Sequence, residues 1–188
     1  MVAGPNAINY INSLDKLSDD LPSSLFDSYS KQEQEKYDNM LKMDGTENAY
    51  VIHKELGEWM TDNVTVVRYN DRLQKTDDKI LELMERYKNI NIQDTQQWSN
   101  SGAQFTRHLW NMLVLARAVT ISALQRDESR GAHYKPEFPE RDDERFMKTT
   151  MAKYNPETTA PEIYYEDIDV SLIKPRKRDY TSDKKGGK

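Results

Sequence analysis

TQQWSNSGAQFTRHLWNMLVLARAVTISALQR, residues 95–126, is the most apolar stretch of the chain, and its reading decides how the rest is arranged. Trp98, Phe105, Leu109, Met112, Leu113, Ala116, Val119 and Ala123 recur every three or four positions, the spacing of one helix face. Leu115, Ile121 and Leu124 widen that stripe, so a helix from Thr95 to about Arg126 is expected in the middle of a bundle. Ala103, Ala116, Ala118 and Ala123 would let neighbours approach closely.

Those neighbours are found upstream. TENAYVIHKELGEWMTDNVTVVR, from Thr46, carries Ala49, Ile52, Leu56, Trp59, Met60 and Val64 at helical spacing, with a start near Glu47 and Thr46 as the expected cap. A further helix holds Leu73, Ile80, Leu83, Met84 and Tyr87, and pairs Glu82 with Arg86 in the favourable i, i+4 order. Residues Asn89 to Asp94 break it. Three long antiparallel helices are therefore expected to pack together.

Two earlier helices read as outliers. Ala7, Ile8, Ile11 and Leu14 follow Pro5, and a second helix starts near Ser24, with Ser24 as cap and Asp27 three residues on. Leu25, Tyr29, Tyr37, Met40 and Leu41 give the second helix its apolar face. Beyond Glu128 the pattern changes again. A short helix is expected from Glu140 to Lys153 after Pro139, followed by one or two strands through Ile163, Tyr165, Ile168, Val170 and Leu172. Two strands alone are marginal in water and need a surface to rest on.

Composition fits a mainly helical chain. Of 188 residues 36% are hydrophobic and 31% charged, so the core is narrow, and only seven glycines and seven prolines interrupt it. With no cysteine, disulfides, thiolate-held zinc, iron–sulfur ligation and a cysteine nucleophile are excluded for this sequence. No apolar run approaches bilayer length, and no basic segment leads into a cleavable apolar stretch at the start, so a soluble, cytoplasmic chain is expected. Net charge is −5, unevenly spread: seven basic against two acidic residues from Lys174 leave the tail at +5 and the rest at −10. An acidic body argues against nucleic acid as a partner.

Chemistry is hard to find. His53, His108 and His133 are too widely spaced for a local metal motif, and DGTENA at Asp44 lacks the alternating ligands of a calcium loop. Neither GxGxxG nor GxxxxGK[ST] occurs, so no phosphate cradle is expected. Adjacent carboxylates such as Asp142 with Asp143, or Glu166 with Asp167, read as solvated charge, and no catalytic, cofactor-binding or metal-binding residue is assigned.

ESRGAHYKPEFPERDDE, residues 128–144, remains. It sets Arg130, His133 and Arg141 among carboxylates, with Gly131 permitting a tight turn and Pro136 and Pro139 holding the chain extended. Such a loop is either an internally satisfied ion-pair cap on the bundle end or a docking surface for another domain.

The segment ARAVTISALQRDESRGAHYKPEFPERDDERFMKTTMAKY, with VSLIKPRKRDY after it, resembles the C-terminal region of the succinate dehydrogenase and fumarate reductase flavoprotein subunit. MDGTENAYVIHKELGEWMTDNVTVVR and DDKILELMERYKNI are similar to that subunit's helical domain, and MVAGPNA to the helix closing its FAD-binding domain. SRGAH followed by ERDDE is the specific part of the signal. The resemblance implies a mainly α fold: a three-helix antiparallel bundle, spectrin-repeat-like, with a C-terminal extended segment containing short strands.

It also implies an organisation. Residues 1–22 would end the FAD-binding domain and link onward, 23–127 form the helical bundle, 128–173 provide a loop, short helix and strands packed on the FAD domain, and 174–188 form a basic tail disordered towards its end. The family oxidises succinate to fumarate through FAD and passes electrons to an iron–sulfur subunit, held by a membrane anchor subunit at the cytoplasmic face of the inner membrane. The family's flavin fingerprint, flavin-linked histidine, dicarboxylate-binding histidines and proton-donating arginine lie in regions with no counterpart here. The sequence thus looks like a C-terminal piece, inactive alone, with Arg130, His133, Arg141 and Asp142 as candidate interdomain contacts. Competing readings are a stand-alone helical interaction module recruiting an acidic partner through its tail, and a hydrolase using the carboxylates near Asp142.

Overall fold

The computed structural model describes residues 3–15 and 21–176. In chain order the described elements are α1 (Ala3–Asn12), α2 (Ser23–Met40), α3 (Ala49–Asn63), α4 (Asn70–Tyr87), α5 (Ser101–Gln125), the single turn α6 (Asp143–Phe146), and strands β1 (Lys148–Lys153) and β2 (Glu162–Asp167). The molecule is mainly helical, with one small two-stranded antiparallel sheet.

Helices α3, α4 and α5 pack on one another. The periodic apolar residues meet between them: Ile52 and Leu56 from α3, Ile80, Leu83 and Met84 from α4, and Ala103, Leu109 and Leu113 from α5. Each fully buried leucine or isoleucine contributes about 1.5–3 kcal/mol of transfer free energy. Met40, Leu41, Ile90 and Ile92 join this cluster, while Val64, Leu73 and Ala123 form a second.

At the crossing of the two inter-helix connections, Asn89 O accepts from Glu47 N at 2.9 Å, and Glu47 O from Asn91 N at 2.9 Å. Gly45 is required there, since a Cβ would lie 2.0 Å from the Asn89 carbonyl oxygen. Across the same joint Arg86 grips Glu47 at 2.9 Å and Glu55 at 2.7 Å, tying α4 to α3 and its entry.

Several sequence expectations are corrected. The long helix starts at Ser101 rather than Thr95, because Asn100 caps it: its side-chain oxygen accepts from Ala103 N at 2.8 Å while its amide donates to the Asp94 and Gln96 carbonyls. Ser99 takes a left-handed turn (φ 57°), and Trp98, counted on the apolar stripe, is 86% exposed. Nor is α5 covered all round. Its buried face runs through Ala103, Thr106, Leu109, Leu113, Ala116, Arg117, Thr120 and Ala123, whereas Leu115 and Val119 are exposed.

The caps differ too. α2 begins at Ser23 after Pro22 without a side-chain cap, and α3 is capped by Asn48, whose oxygen accepts from Tyr50 N at 2.8 Å, leaving Thr46 to accept from Asn89 instead. The helix expected over Glu140–Lys153 is one turn only. After Phe146 the chain extends, and Thr149, Thr150 and their neighbours pair with β2 in the register Lys148↔Asp167 to Lys153↔Glu162. β-branched threonines favour this pleated conformation once a partner is present. The strand ends at Asp167, so Ile168, Val170 and Leu172 lie outside it, Leu172 fully exposed.

The strands therefore partner each other, and Arg126 fastens β1 to the end of α5 by donating to Thr150 Oγ1 at 2.7 Å. Ile163 and Tyr165 are half-buried on this hairpin, whereas Ile8 and Ile11 of α1 are exposed, and no residue of α1 is buried. Most of the basic tail, from Lys177 onward, lies outside the described residues, as do residues 16–20 of the link between α1 and α2.

Candidate functional site

The charged segment following α5 is built around a carboxylate. Glu128 has no solvent exposure, and its two oxygens accept from Arg126 (2.8 Å), Arg130 (2.8 and 3.0 Å) and the Asp142 N–H (2.9 Å). A buried charge is tolerable only when paired and hydrogen-bonded in this way. Arg130 reaches on to Asp143 at 2.7 Å, and Arg141 holds the other Asp143 oxygen at 2.6 Å while donating to the Arg176 carbonyl at 2.9 Å. The hydrogen bonds that Arg130 donates to Glu128 hold its guanidinium above its ordinary pKa, and Arg130 with Arg141 pulls Asp143 below its own.

Local folding presents these groups. Gly131 adopts φ 61°, closing a turn in which the Arg130 and His133 backbones exchange hydrogen bonds of 2.8 and 3.0 Å. Ser129 ties the turn shut by accepting from Lys135 N and donating to the Phe138 carbonyl. Asp142 caps α6, accepting from Arg145 N at 2.9 Å and from its side chain at 2.7 Å, contacts that lower the Asp142 pKa.

A second buried ion lies beneath. Lys135 has no exposure; its ammonium donates to the Leu124 carbonyl (2.9 Å) and Asp127 (3.0 Å) and faces the Phe138 ring. Burial pushes the Lys135 pKa down despite Asp127. Asp127 also accepts from Asn70 at 3.0 Å, and although burial opposes ionisation, these hydrogen bonds and the Lys135 charge keep its pKa low.

All four residues singled out from the sequence fall in this segment. Arg130 and Arg141 converge on Asp143, and Asp142 joins them through its N–H on Glu128. His133 points elsewhere, its ring 2.5 Å from Arg68 and 2.9 Å from the Arg126 carbonyl. The reading of Asp143 as solvated charge does not hold, since two arginines engage it. Sequence reasoning missed Glu128, Lys135, Arg126 and Arg68 as participants. The signal was an arginine on either side of DES in RDESR; nothing in the sequence marked Lys135 as buried or Arg68 as near.

An open concavity of about 520 Å³ lies over the acidic side of this segment, bordered by Asp127, Glu137, Phe138, Arg141 and Asp143 among others. Among the described residues, no group of three His, Cys, Asp or Glu side chains is placed to hold a metal ion. His53 stands edge-on to Phe105, with ring centroids 5.4 Å apart, and His108 borders a shallow polar hollow at the start of α5. Arg130 and Arg141, with Arg126 beside them, are committed to Glu128 and Asp143, an arrangement suited to fixing chain geometry rather than to proton or group transfer.

The chain is similar to known proteins over almost all its length. A family model described as fumarate reductase flavoprotein C-term matches residues 53–180. The succinate dehydrogenase flavoprotein subunit of Bacillus subtilis (strain 168) is 64% identical over 184 residues, 98% of this chain and 31% of that protein. The fumarate reductase flavoprotein subunit of Haemophilus influenzae is 36% identical, over 84% of this chain and 26% of the relative. A solved structure of E. coli quinol fumarate reductase superposes with a TM-score of 0.79 at 30% identity, over 84% of this chain and 27% of that one. The chain thus spans about a third or less of the length of these relatives. It belongs to the C-terminal domain family of the succinate dehydrogenase and fumarate reductase flavoprotein subunits.

Proposed function

We propose that these residues form the bracing C-terminal domain of a succinate dehydrogenase flavoprotein subunit, supporting oxidation of succinate to fumarate without contributing a catalytic group. The observation that carries this reading is the 64% identity to the Bacillus subtilis subunit across nearly the whole chain. The charged segment supports it: Glu128, Arg126, Arg130, Arg141 and Asp143 are committed to one another.

In this reading residues 23–127 act as an antiparallel, spectrin-repeat-like three-helix support built on α3, α4 and α5. Residues 1–22 belong with an FAD-binding domain, and 128–173 pack on that domain through the faces of Arg130, His133, Arg141 and Asp142. The exposed Ile8, Tyr10 and Ile11 of α1, and Leu25, Phe26 and Tyr29 of α2, supply apolar area of the kind domain interfaces cover. The described residues do not themselves fit a flavin: the one left-handed glycine among them, Gly131, closes a charged turn, and the arginines beside it are already paired. In this reading FAD is held elsewhere in the parent subunit. That subunit would work with an iron–sulfur subunit and a membrane anchor, peripheral at the cytoplasmic face of the membrane. No described helix is long and apolar enough to cross it.

The test is reconstitution. The chain, mixed with a separately expressed FAD-binding portion, is expected to associate with it and restore dye-linked succinate oxidation, and Arg141→Glu to weaken association. Absence of association overturns the reading, as does succinate turnover by this chain alone.

A further inference from the structure

His133 is held by two partners of opposite demand. Its Nδ1 is 2.5 Å from Nη1 of Arg68, on the connection between α3 and α4, and its Nε2 is 2.9 Å from the carbonyl of Arg126 at the end of α5. A guanidinium can only donate and a carbonyl only accept, so the ring carries its hydrogen on Nε2 and its lone pair on Nδ1. The two contacts therefore select one neutral tautomer. Arg68 is anchored as well, its Nε and Nη2 donating to the Val64 carbonyl at 3.2 and 3.0 Å. Beside the ring the backbones join: Tyr134 N donates to Val66 O at 3.1 Å, and Arg68 N to Tyr134 O at 2.9 Å.

We propose that His133 is an acid-sensitive latch: neutral, it clamps the 128–144 segment to the α3–α4 connection, and protonated it lets go. A proton on Nδ1 would set donor against donor and cation against cation at hydrogen-bond distance, with Arg68 held in place by Val64. The charged side chains that act most on the ring have the same sign: Arg68 from the α3–α4 connection, Lys135 from its own segment, and Arg126 from the end of α5. The nearby carboxylates are committed, Glu128 to Arg126 and Arg130, and Asp127 to Lys135 and Asn70. Burial first, and these cations after it, hold the His133 pKa below its ordinary 6.5, against the opposing Arg126 carbonyl bond.

The sign follows from linkage. The latched form binds the proton less well than the open form, so latching is complete above pH 6.5 and weakens as pH falls towards the depressed midpoint. Each unit of depression corresponds to about a tenfold loss of latched over open population. This inference does not depend on the proposed function.

The experiment is an imidazole NMR titration of the 188-residue chain, with His133 assigned by elimination using H53Q and H108Q, together with amide exchange at Arg68 and Tyr134. The expected result is the Nε2–H tautomer at pH 8, a His133 midpoint below 6.5, and protection of both amides falling with that midpoint by about tenfold per unit of depression. Arg68→Gln should raise the midpoint. A midpoint at or above 6.5, the Nδ1–H tautomer, amide protection indifferent to the titration, or a midpoint unmoved by Arg68→Gln would each overturn the latch.

Discussion

Glu128 shows how one side chain can organise a segment that looks, in sequence, like surface. Its carboxylate is fully buried and collects two arginines and a backbone N–H from residues up to fourteen positions away. Breaking such a pair leaves uncompensated charge, so Glu128→Gln is expected to cost about 3–5 kcal/mol in urea denaturation; a loss below about 1 kcal/mol would contradict its place at the hub. The residue types of this site were legible: arginines, carboxylates and a turn glycine in SRGAH and ERDDE. Their pairing was not. Which carboxylate is buried depends on where the end of α5 and the β1–β2 hairpin meet, and a string of charges carries no record of burial.

Among elements, α5 is the clearest case of a pattern half read. Periodicity found the buried face at Leu109, Leu113, Ala116 and Ala123, yet it counted Trp98 and Val119 as well. Asn100 sets the true start, because a side chain that satisfies the first-turn N–H groups fixes the helix end more sharply than the apolar count does. Leu113→Ala is expected to lower stability by about 2–5 kcal/mol, whereas Leu115→Ala on the exposed face of the same helix should stay within about 0.5 kcal/mol, both read from chemical denaturation. Equal costs would mean the buried face is misplaced. The hairpin tells the opposite story: Lys148–Lys153 was expected as helix and is strand, since its partner β2 supplies the hydrogen bonds that local propensity could not anticipate.

At the scale of the whole molecule, charge pairing between segments makes stability depend on pH. Hydrogen bonding by Arg86 lowers the pKa of Glu47 and Glu55, helped at Glu55 by Lys79, and Arg130 with Arg141 lowers that of Asp143. Carboxylates with depressed folded-state pKa values contribute stability that is intact above their ordinary values, 4.5 for glutamate and 3.8 for aspartate, and lost as pH falls through the depressed ones. The urea midpoint is therefore expected to fall steeply only below about pH 4.5, beneath the shallower decline that His133 brings below 6.5, and Arg86→Gln should flatten the steep limb. A midpoint unchanged between pH 5 and pH 3 would contradict the pairing. The sequence by itself determined the helical class, the approximate places of the long helices and the family, because hydrophobic periodicity and the SRGAH–ERDDE motif are local properties of the chain. Only the tertiary structure decided that Glu128 and Lys135 are buried ions, that Arg68 faces His133, and that two extended segments pair with each other. Burial and pairing are relations between residues distant in sequence, and they take definite values only when the chain is folded.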